Sequence, residues 1–155
     1  MDEDGSEPIH IAWASSCCQP WSTFGLGKGQ ADSRSIPLII WLEERRQRVE
    51  DVLFFENSTC FPVSILSDNL PRQYRIFHFH SNPEDYGFPV ARDRLLCFAF
   101  DTTKYVWFGP AQDELQGAII DVFGKTVACD GDVFCVKASG HASTLASVLD
   151  AFLLE

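Results

Sequence analysis

Short apolar segments that alternate with helix-like segments constrain the fold of this chain most strongly. Residues 9–14, 52–55 and 74–80 are apolar runs too short for helices, which predicts strands. Residues 36–50 and 62–70 lie between them and predict helices, the first with Ser35 as N-cap and the second with Pro62 in its first turn. This alternation is typical of an α/β fold with a parallel sheet and helical crossovers.

The second half of the chain departs from strict alternation. A fourth strand is predicted over 95–100, and because no helix separates it from 74–80, an antiparallel edge hairpin is expected. Farther on, Gly109-Pro110 opens a predicted helix that ends at Phe123, where Gly124 stops it. A hairpin around 130–132 and an amphipathic helix over 143–154 complete a small C-terminal α/β extension over 101–155.

Composition limits the class of protein. A chain of 155 residues with 46% hydrophobic residues forms one globular domain or part of one, here preceded by an acidic leader over 1–8. No apolar run reaches the length of a membrane span, and the acidic start is the reverse of a signal peptide. Six cysteines without a secretory signal indicate a reducing compartment. No Cys-x-x-Cys pair occurs, and His78 with His80 alone does not predict a metal site.

Charge restricts where nucleic acid could bind. The net charge of −10 repels phosphate as a whole. Residues 11–100 nevertheless sum to only −1, and eight of their nine basic residues are arginines, which suit bidentate contacts with phosphates and bases. Any nucleic-acid surface is therefore expected to be local.

The segment from Ser15 to Gly25 follows the first strand and carries a candidate nucleophile. A strand that breaks into small and polar residues presents a thiol at the carboxyl edge of a sheet. The sequence Cys-Gln-Pro-Trp-Ser, followed by glycines, resembles the nucleophile loop of DNA cytosine-5 methyltransferases. Cys18 takes the nucleophile position, and Cys17 stands where that family has a proline.

Further matches follow in the family's order and cover residues 9–100. Glu56-Asn57 ends the second predicted strand, as Glu-Asn does in the family, and Asp32, Arg34 and Leu38 match positions after the nucleophile loop. Before the fourth strand, residues 86–94 resemble the family's Tyr-Gly-x-Pro-Gln-x-Arg-x-Arg motif. The resemblance implies a partial Rossmann-like, S-adenosylmethionine-dependent methyltransferase sheet.

The resemblance also implies roles for individual residues. Cys18 would attack carbon 6 of a flipped cytosine, so that carbon 5 takes a methyl group from S-adenosylmethionine. Glu56 would hold ring nitrogen 3 and the exocyclic amine. Asn57 would brace the nucleophile loop. Arg92 and Arg94 would contact the base or phosphate. Gln19 and Ser22 would bind substrate.

Departures from the family pattern lead to an expectation of a fragment or divergent copy. The family's cofactor-binding half precedes the nucleophile loop, whereas the only glycine-rich run here, residues 25–29, follows it. A missing segment or partner chain is therefore expected to supply that half, and no residue is assigned to the cofactor. Cys17, Ser58 and Val90 replace the family's proline, valine and glutamine.

Other interpretations stay open. Cys18 could be a small buried hydrophobe, and the residues after Glu56 could cap the next helix. The whole chain could be a catalytically silent remnant that acts as a protein-binding module, or an RNA cytosine-5 methyltransferase. For a DNA enzyme the expected location is nuclear in a eukaryote and cytoplasmic otherwise.

Overall fold

The computed structural model describes residues 7–23, 25 and 27–124. Four strands form one sheet in the order β1-β2-β4-β3. The strands are β1 (Ile11–Ser15), β2 (Val52–Asn57), β3 (Tyr74–Ser81) and β4 (Arg94–Asp101). The helices are α1 (Ile36–Arg48), α2 (Ser64–Asn69) and α3 (Leu115–Phe123), with 3₁₀ helices at Gly29–Ala31, Ser33–Ser35 and Pro83–Tyr86.

Strand directions gather the loops of interest at one edge of the sheet. β1 and β2 are parallel, with Ser15 opposite Glu56, and β4 runs antiparallel to both β2 and β3. The ends of β1, β2 and β3 therefore lie at the same edge as the start of β4. We call this the carboxyl edge. It carries the loops that follow Ser15, Asn57 and Ser81.

Helices cover both faces of the sheet. On one face, α1 and α2 bury Leu38 and Leu66 against Leu53, Phe55 and neighbouring side chains. On the other face, α3 and residues 105–107 cover the β3–β4 half around a second cluster. Side-chain alternation along the strands supplies both clusters, since successive residues point to opposite faces. None of the described helices is long and apolar enough to cross a membrane.

The α/β prediction and the antiparallel pairing of the last two strands are confirmed. Some boundaries were wrong. β1 begins at Ile11, two residues after the predicted start. α1 ends at Arg48 because Val49 adopts a left-handed conformation, with φ of 50°. α3 begins only at Leu115, although it ends at Phe123 as predicted.

Ser35 precedes α1 as predicted, but its side chain does not cap the helix. The Ser35 hydroxyl instead donates a hydrogen bond of 2.7 Å to the carbonyl of Gly29, which fixes the preceding loop. α2 is shorter than predicted, covering six residues. The predicted hairpin around 130–132 and the helix over 143–154 lie outside the described residues.

The outer edge of β3 is closed by side chains of the segment that carries α3. Gln112 accepts from the His78 amide at 3.0 Å and donates to the His78 carbonyl at 2.7 Å. Gln116 makes the same pair of bonds with His80, at 2.7 and 2.9 Å. The two side-chain amides thus take the hydrogen-bonding positions of a neighbouring strand, which protects an otherwise open edge.

We expect Gln112→Ala/Gln116→Ala to loosen α3 from β3. Four hydrogen bonds are lost, at a combined cost of about 1–3 kcal/mol in the free energy of unfolding after discounting for exposure. Hydrogen exchange at the His78 and His80 amides should accelerate. The control is Gln47→Ala, since among the described residues the Gln47 side-chain amide bonds the side chain of Glu43 on α1 and no part of β3. Unchanged exchange at both histidines would contradict the prediction.

A buried carboxylate joins the strands at the end of the sheet opposite the carboxyl edge. Asp51 accepts from the His10 amide at 2.7 Å and from Lys104 Nζ at 2.6 Å. Its own amide donates to the His10 carbonyl, and its carbonyl accepts from the Asp101 amide. The hydrogen bond from Lys104, followed by that from His10, lowers the pKa of Asp51 below its ordinary value.

The lowered pKa of Asp51 predicts how the stability of the fold changes with pH. The ionised carboxylate stabilises the fold above its unfolded-state pKa of 3.8, and this stabilisation is lost as pH falls through the lower folded-state pKa. Asp51→Asn should reduce stability at pH 7 and flatten the decline in stability below pH 4. Urea unfolding at a series of pH values tests this expectation. An equally steep acid decline in the variant would contradict it.

Candidate active site

The loop after β1 is anchored around Cys18. The Cys18 carbonyl accepts hydrogen bonds from the Trp21 amide at 3.0 Å and the Ser22 amide at 2.8 Å, which closes a turn. Trp21 is buried and packs edge-on against Phe61, with 5.0 Å between ring centroids. The Cys18 side chain is half-buried and that of Cys17 is exposed. The turn therefore holds the backbone of Cys18 in place while its thiol keeps access to solvent.

Asn57 ties the same loop to the end of β2. Its side chain is 1% exposed, and its Nδ2 donates to the Ser16 carbonyl at 3.2 Å and to Ser16 Oγ at 3.1 Å. The Asn57 Oδ1 accepts from the Ser58 amide at 2.9 Å. The N-cap of α2 is Val63, so the helix-capping interpretation of this segment was wrong. Asn57 therefore bonds the end of β2 to the loop after β1, and the bracing role that the resemblance gives it stays a prediction.

Glu56 lies at the carboxyl edge, directly opposite the last residue of β1. Its Oε2 accepts from Ser15 Oγ, and its Oε1 pairs with Arg94 Nε at 2.8 Å. The side chain is 22% exposed, so it is partly shielded from water. Both carboxylate oxygens are thus engaged from neighbouring strands, which fixes the orientation of the group.

A second network supports the loop through Arg34. Buried Asp32 accepts from the Arg34 amide at 3.0 Å, from Nε at 2.8 Å and from Nη2 at 2.6 Å. These hydrogen bonds, the side-chain ones first, hold the pKa of Asp32 well below its usual range. The remaining Arg34 nitrogen, Nη1, donates to Gln19 Oε1. Gln19, a predicted substrate contact, is therefore engaged within the protein.

The loop needs a glycine at position 25, because the backbone of Gln19 lies very close to it. A Cβ atom there would lie 1.7 Å from the carbonyl oxygen of Gln19, which no side chain tolerates. The Gly25 amide donates to the Ser22 carbonyl at 2.9 Å, and Ser22 is half-buried. Ser22 thus contributes its backbone to the folded loop, and its proposed contact with substrate stays a prediction.

Arg92 is placed differently from Arg94. It lies in the segment between Gly87 and β4, and its amide donates to Asn82 Oδ1 at 3.0 Å. The side chain is exposed and makes no hydrogen bond or ion pair within the described part of the chain. The structure therefore joins Arg94 to Glu56 but leaves Arg92 directed at solvent, near the same edge.

The described residues do not fit S-adenosylmethionine. One cavity of about 60 Å³ lies between α1 and α2, and a wider one of about 480 Å³ opens beside Arg46 and Arg72. Neither cavity includes Cys18 or Glu56, and neither follows a glycine-rich strand-to-helix turn. The described residues also contain no group of three or more potential metal ligands.

Sequence reasoning missed Ser15 and Ser16 as parts of the site. Each supplies hydroxyl contacts that hold a predicted residue, Ser15 to Glu56 and Ser16 to Asn57. Their only signal was position, since the last residues of two parallel strands meet at one edge of the sheet. The pairing of Arg94 with Glu56 had no sequence signal, because β4 follows β2 after 36 intervening residues in which β3 is formed.

Solved structures similar in fold include two that are described as methyltransferases and one that is described as a DNMT2 mutant. The Schizosaccharomyces pombe Dnmt2 methyltransferase is 19% identical, with a TM-score of 0.56, 91% of this chain covered and 45% of that one. The Entamoeba histolytica methyltransferase EhMeth is 21% identical, with a TM-score of 0.52 and coverages of 66% and 35%. A mutant of Spodoptera frugiperda DNMT2 is 23% identical, with a TM-score of 0.51 and coverages of 68% and 34%.

These likenesses define the fold as a methyltransferase-type α/β sheet. The chain spans less than half the length of each of the three proteins. No protein-family model matches it, and no curated protein matches it in sequence. The catalytic roles of the site residues are therefore proposals, and they rest on the geometry of the carboxyl edge.

We expect Asn57→Ala to loosen the Cys18 loop. Loss of a buried, fully bonded amide costs about 1–3 kcal/mol in the free energy of unfolding. On a Cys17→Ser background, iodoacetamide should alkylate Cys18 faster in the variant, as followed by peptide mass spectrometry.

The matched control is Asn69→Ala. The Asn69 amide donates to the Ile65 carbonyl on α2 at 2.8 Å, away from the loop. This variant should lose stability without changing the alkylation rate of Cys18. If Asn57→Ala lowered stability but left Cys18 alkylation unchanged, the bracing role would be refuted.

Proposed function

We propose that the chain carries the substrate half of a cytosine-5 methyltransferase, in which Cys18 adds to carbon 6 of a cytosine. The observation that carries this proposal is the position of Cys18 in the loop after β1 and of Glu56 at the end of the neighbouring parallel strand β2, with Asn57 bonded to Ser16. The methyltransferase-type fold supports it. A thiol and a shielded carboxylate at one edge are suited to nucleophilic addition with acid–base assistance.

The chemistry follows from the electronics of cytosine. Carbon 5 is a poor nucleophile until a group adds to carbon 6, and a thiolate is both a soft nucleophile and a competent leaving group. As the Cys18 sulfur bonds to carbon 6, electron density moves onto carbon 5 and ring nitrogen 3. Glu56 would hold nitrogen 3 and the exocyclic amine, sharing a proton with the ring as charge develops.

Binding of the base requires a change at Glu56. Arg94 now occupies Glu56 Oε1, and Ser15 occupies Oε2. An entering base would exchange its amine for one of these contacts, and the freed Arg94 guanidinium would bind the cytosine carbonyl oxygen. Exposed Arg92 would hold substrate or phosphate. The ion pair thus keeps both groups oriented until the flipped base replaces it.

The implied methyl donor is S-adenosylmethionine, which would supply an electrophilic methyl group for carbon 5. Since the described residues do not fit it, we propose that a partner chain or a further segment holds the donor. Among the described residues no strand pairs with the outer side of β1, and this is the position we propose for that partner. Ile11 is 61% exposed on β1 and Trp13 is 64% exposed.

DNA is the proposed substrate, and RNA is the alternative. The net charge of −10 makes long-range attraction to either unfavourable, so the partner would also contribute basic surface. In a eukaryote, a DNA substrate would place the protein in the nucleus. The exposed Ile11 and Trp13 equally support the rival proposal, in which the chain is a silent remnant that binds another protein.

The decisive test uses DNA or RNA containing 5-fluorocytosine, with the donor-binding half supplied. Fluorine cannot leave carbon 5 as a proton does, so the methylated base stays attached to the sulfur. We expect a covalent adduct that Cys18→Ser abolishes and Cys17→Ser preserves. Glu56→Gln should slow adduct formation by roughly 10²–10⁴-fold, the usual contribution of a positioned acid–base group.

The two cysteines control for each other in this experiment. Trapping that survives Cys18→Ser but not Cys17→Ser would assign the nucleophile to Cys17. The absence of any adduct, once donor binding has been confirmed, would favour the silent-remnant proposal. Comparing the DNA and RNA substrates decides between the two nucleic acids.

The outer edge of β1, which no strand of the described residues covers, gives a separate prediction. The isolated chain should self-associate, since exposed apolar side chains lie beside this edge. Ile11→Ser/Trp13→Ser should reduce association in sedimentation velocity experiments. Ile39→Ser/Ile40→Ser is the matched control, because these α1 side chains are 49% and 56% exposed but lie away from the sheet edge. A monomeric wild-type chain would contradict the prediction.

A further inference from the structure

Two adjacent thiols lie in the Cys18 loop, and the proposed function uses only one of them. Cys17 is exposed, Cys18 is half-buried, and neither forms a disulfide within the part of the chain that the structure describes. The backbone is fixed on both sides of the pair, through Asn57 and Ser16 before it and through the Cys18 carbonyl after it. The two thiols therefore belong to consecutive residues of one anchored segment.

We propose that Cys17 and Cys18 form a thiol–disulfide pair that reacts reversibly with small-molecule disulfides. Exposed Cys17 captures the disulfide, and half-buried Cys18 then closes the bond between the neighbouring side chains. Once the disulfide has formed, Cys18 is no longer a thiolate and cannot act as a nucleophile. The consequence for catalysis rests on the proposed function, whereas the thiol chemistry itself does not.

The reaction balances in two steps. The Cys17 thiolate attacks one sulfur of the oxidant, forming a mixed disulfide and releasing one small thiolate. The Cys18 thiolate then attacks the Cys17 sulfur, forming the Cys17–Cys18 bond and expelling the second small thiolate. The two cysteines lose two electrons and two protons, and one disulfide is reduced to two thiols. Excess small thiol reverses both steps.

Backbone geometry makes the closed form easy to reduce. Consecutive Cα atoms are about 3.8 Å apart, shorter than the Cα separation of about 4.4–6.8 Å found in most disulfides. A bond between neighbouring residues is therefore strained, and strained, exposed disulfides are the labile and regulatory ones. In a reducing compartment the pair rests as two thiols and closes only when oxidants accumulate.

Exposure favours capture by Cys17, because its side chain is open to solvent whereas that of Cys18 is half-buried. Arg34, which is fixed by Asp32, donates a hydrogen bond to Gln19, the residue after Cys18.

Among the described residues, Cys60 is the other exposed cysteine, and it supplies the control. It is exposed in the loop after β2, and the next residue, Phe61, packs against Trp21. A disulfide between Cys60 and either loop cysteine would join two loops rather than two neighbours. The substitution that prevents disulfide formation therefore shows which two cysteines pair.

The experiment equilibrates the full 155-residue chain in buffers of varied reduced and oxidised glutathione, followed by acid quenching and peptide mass spectrometry. We expect the peptide with Cys17 and Cys18 to lose two hydrogens without retaining glutathione, and dithiothreitol to reverse the change. Cys60→Ser should behave as wild type. Cys17→Ser should never lose two hydrogens, and its Cys18 should stay reduced or carry glutathione.

Two outcomes would overturn the proposal. One is closure that disappears in Cys60→Ser, and the other is glutathione retained on Cys17 without closure at any ratio. Nucleic acid is not needed for this measurement, so its failure is separate from failure of the proposed function. With the donor-binding half supplied, oxidation should also abolish the 5-fluorocytosine adduct and dithiothreitol should restore it. Absence of the adduct even in the reduced protein would refute the proposed function and leave the disulfide pair intact.

Discussion

The parallel pairing of β1 with β2 is the constraint on which the candidate site depends. The register sets Ser15 beside Glu56, so the two following loops leave the sheet side by side. A shift of one residue would turn Glu56 to the opposite face and bury it among the side chains that pack on α1 and α2. The register therefore fixes the edge at which Cys18 and Glu56 lie, and also the face on which Glu56 meets Arg94.

Buried polar groups hold this pairing at both ends. At the carboxyl edge, Asn57 bonds to Ser16 across the strands. At the opposite end, Asp51 joins the start of β1 through His10 and the segment after β4 through Lys104. Apolar packing alone would tolerate slippage of a short strand, whereas a buried polar group left without its partner costs free energy. These two residues thus make the register specific.

The sequence predicted the parts of the site that local pattern determines. Short apolar runs placed the strands, and the resemblance of the residues at their ends to family motifs pointed to Cys18, Glu56 and Asn57 as candidates. Contacts between distant segments were not predictable, because nothing in a single strand shows which neighbour it will meet. The Arg94–Glu56 ion pair and the bonds of Gln112 to His78 belong to this class. Predicted helix ends were also wrong where the backbone conformation of one residue ends the helix, as the left-handed conformation of Val49 does after α1.

The cysteine at position 17 changes the chemistry of the loop more than its shape. A proline there would stiffen the backbone, as it does in the family that the loop resembles. Here the loop has other sources of rigidity: the bonds from Asn57, the turn closed on the Cys18 carbonyl, and the close approach of Gly25 to Gln19. With the backbone already fixed, the side chain at 17 need not supply stiffness. It adds a second thiol beside Cys18 on a backbone that is already fixed.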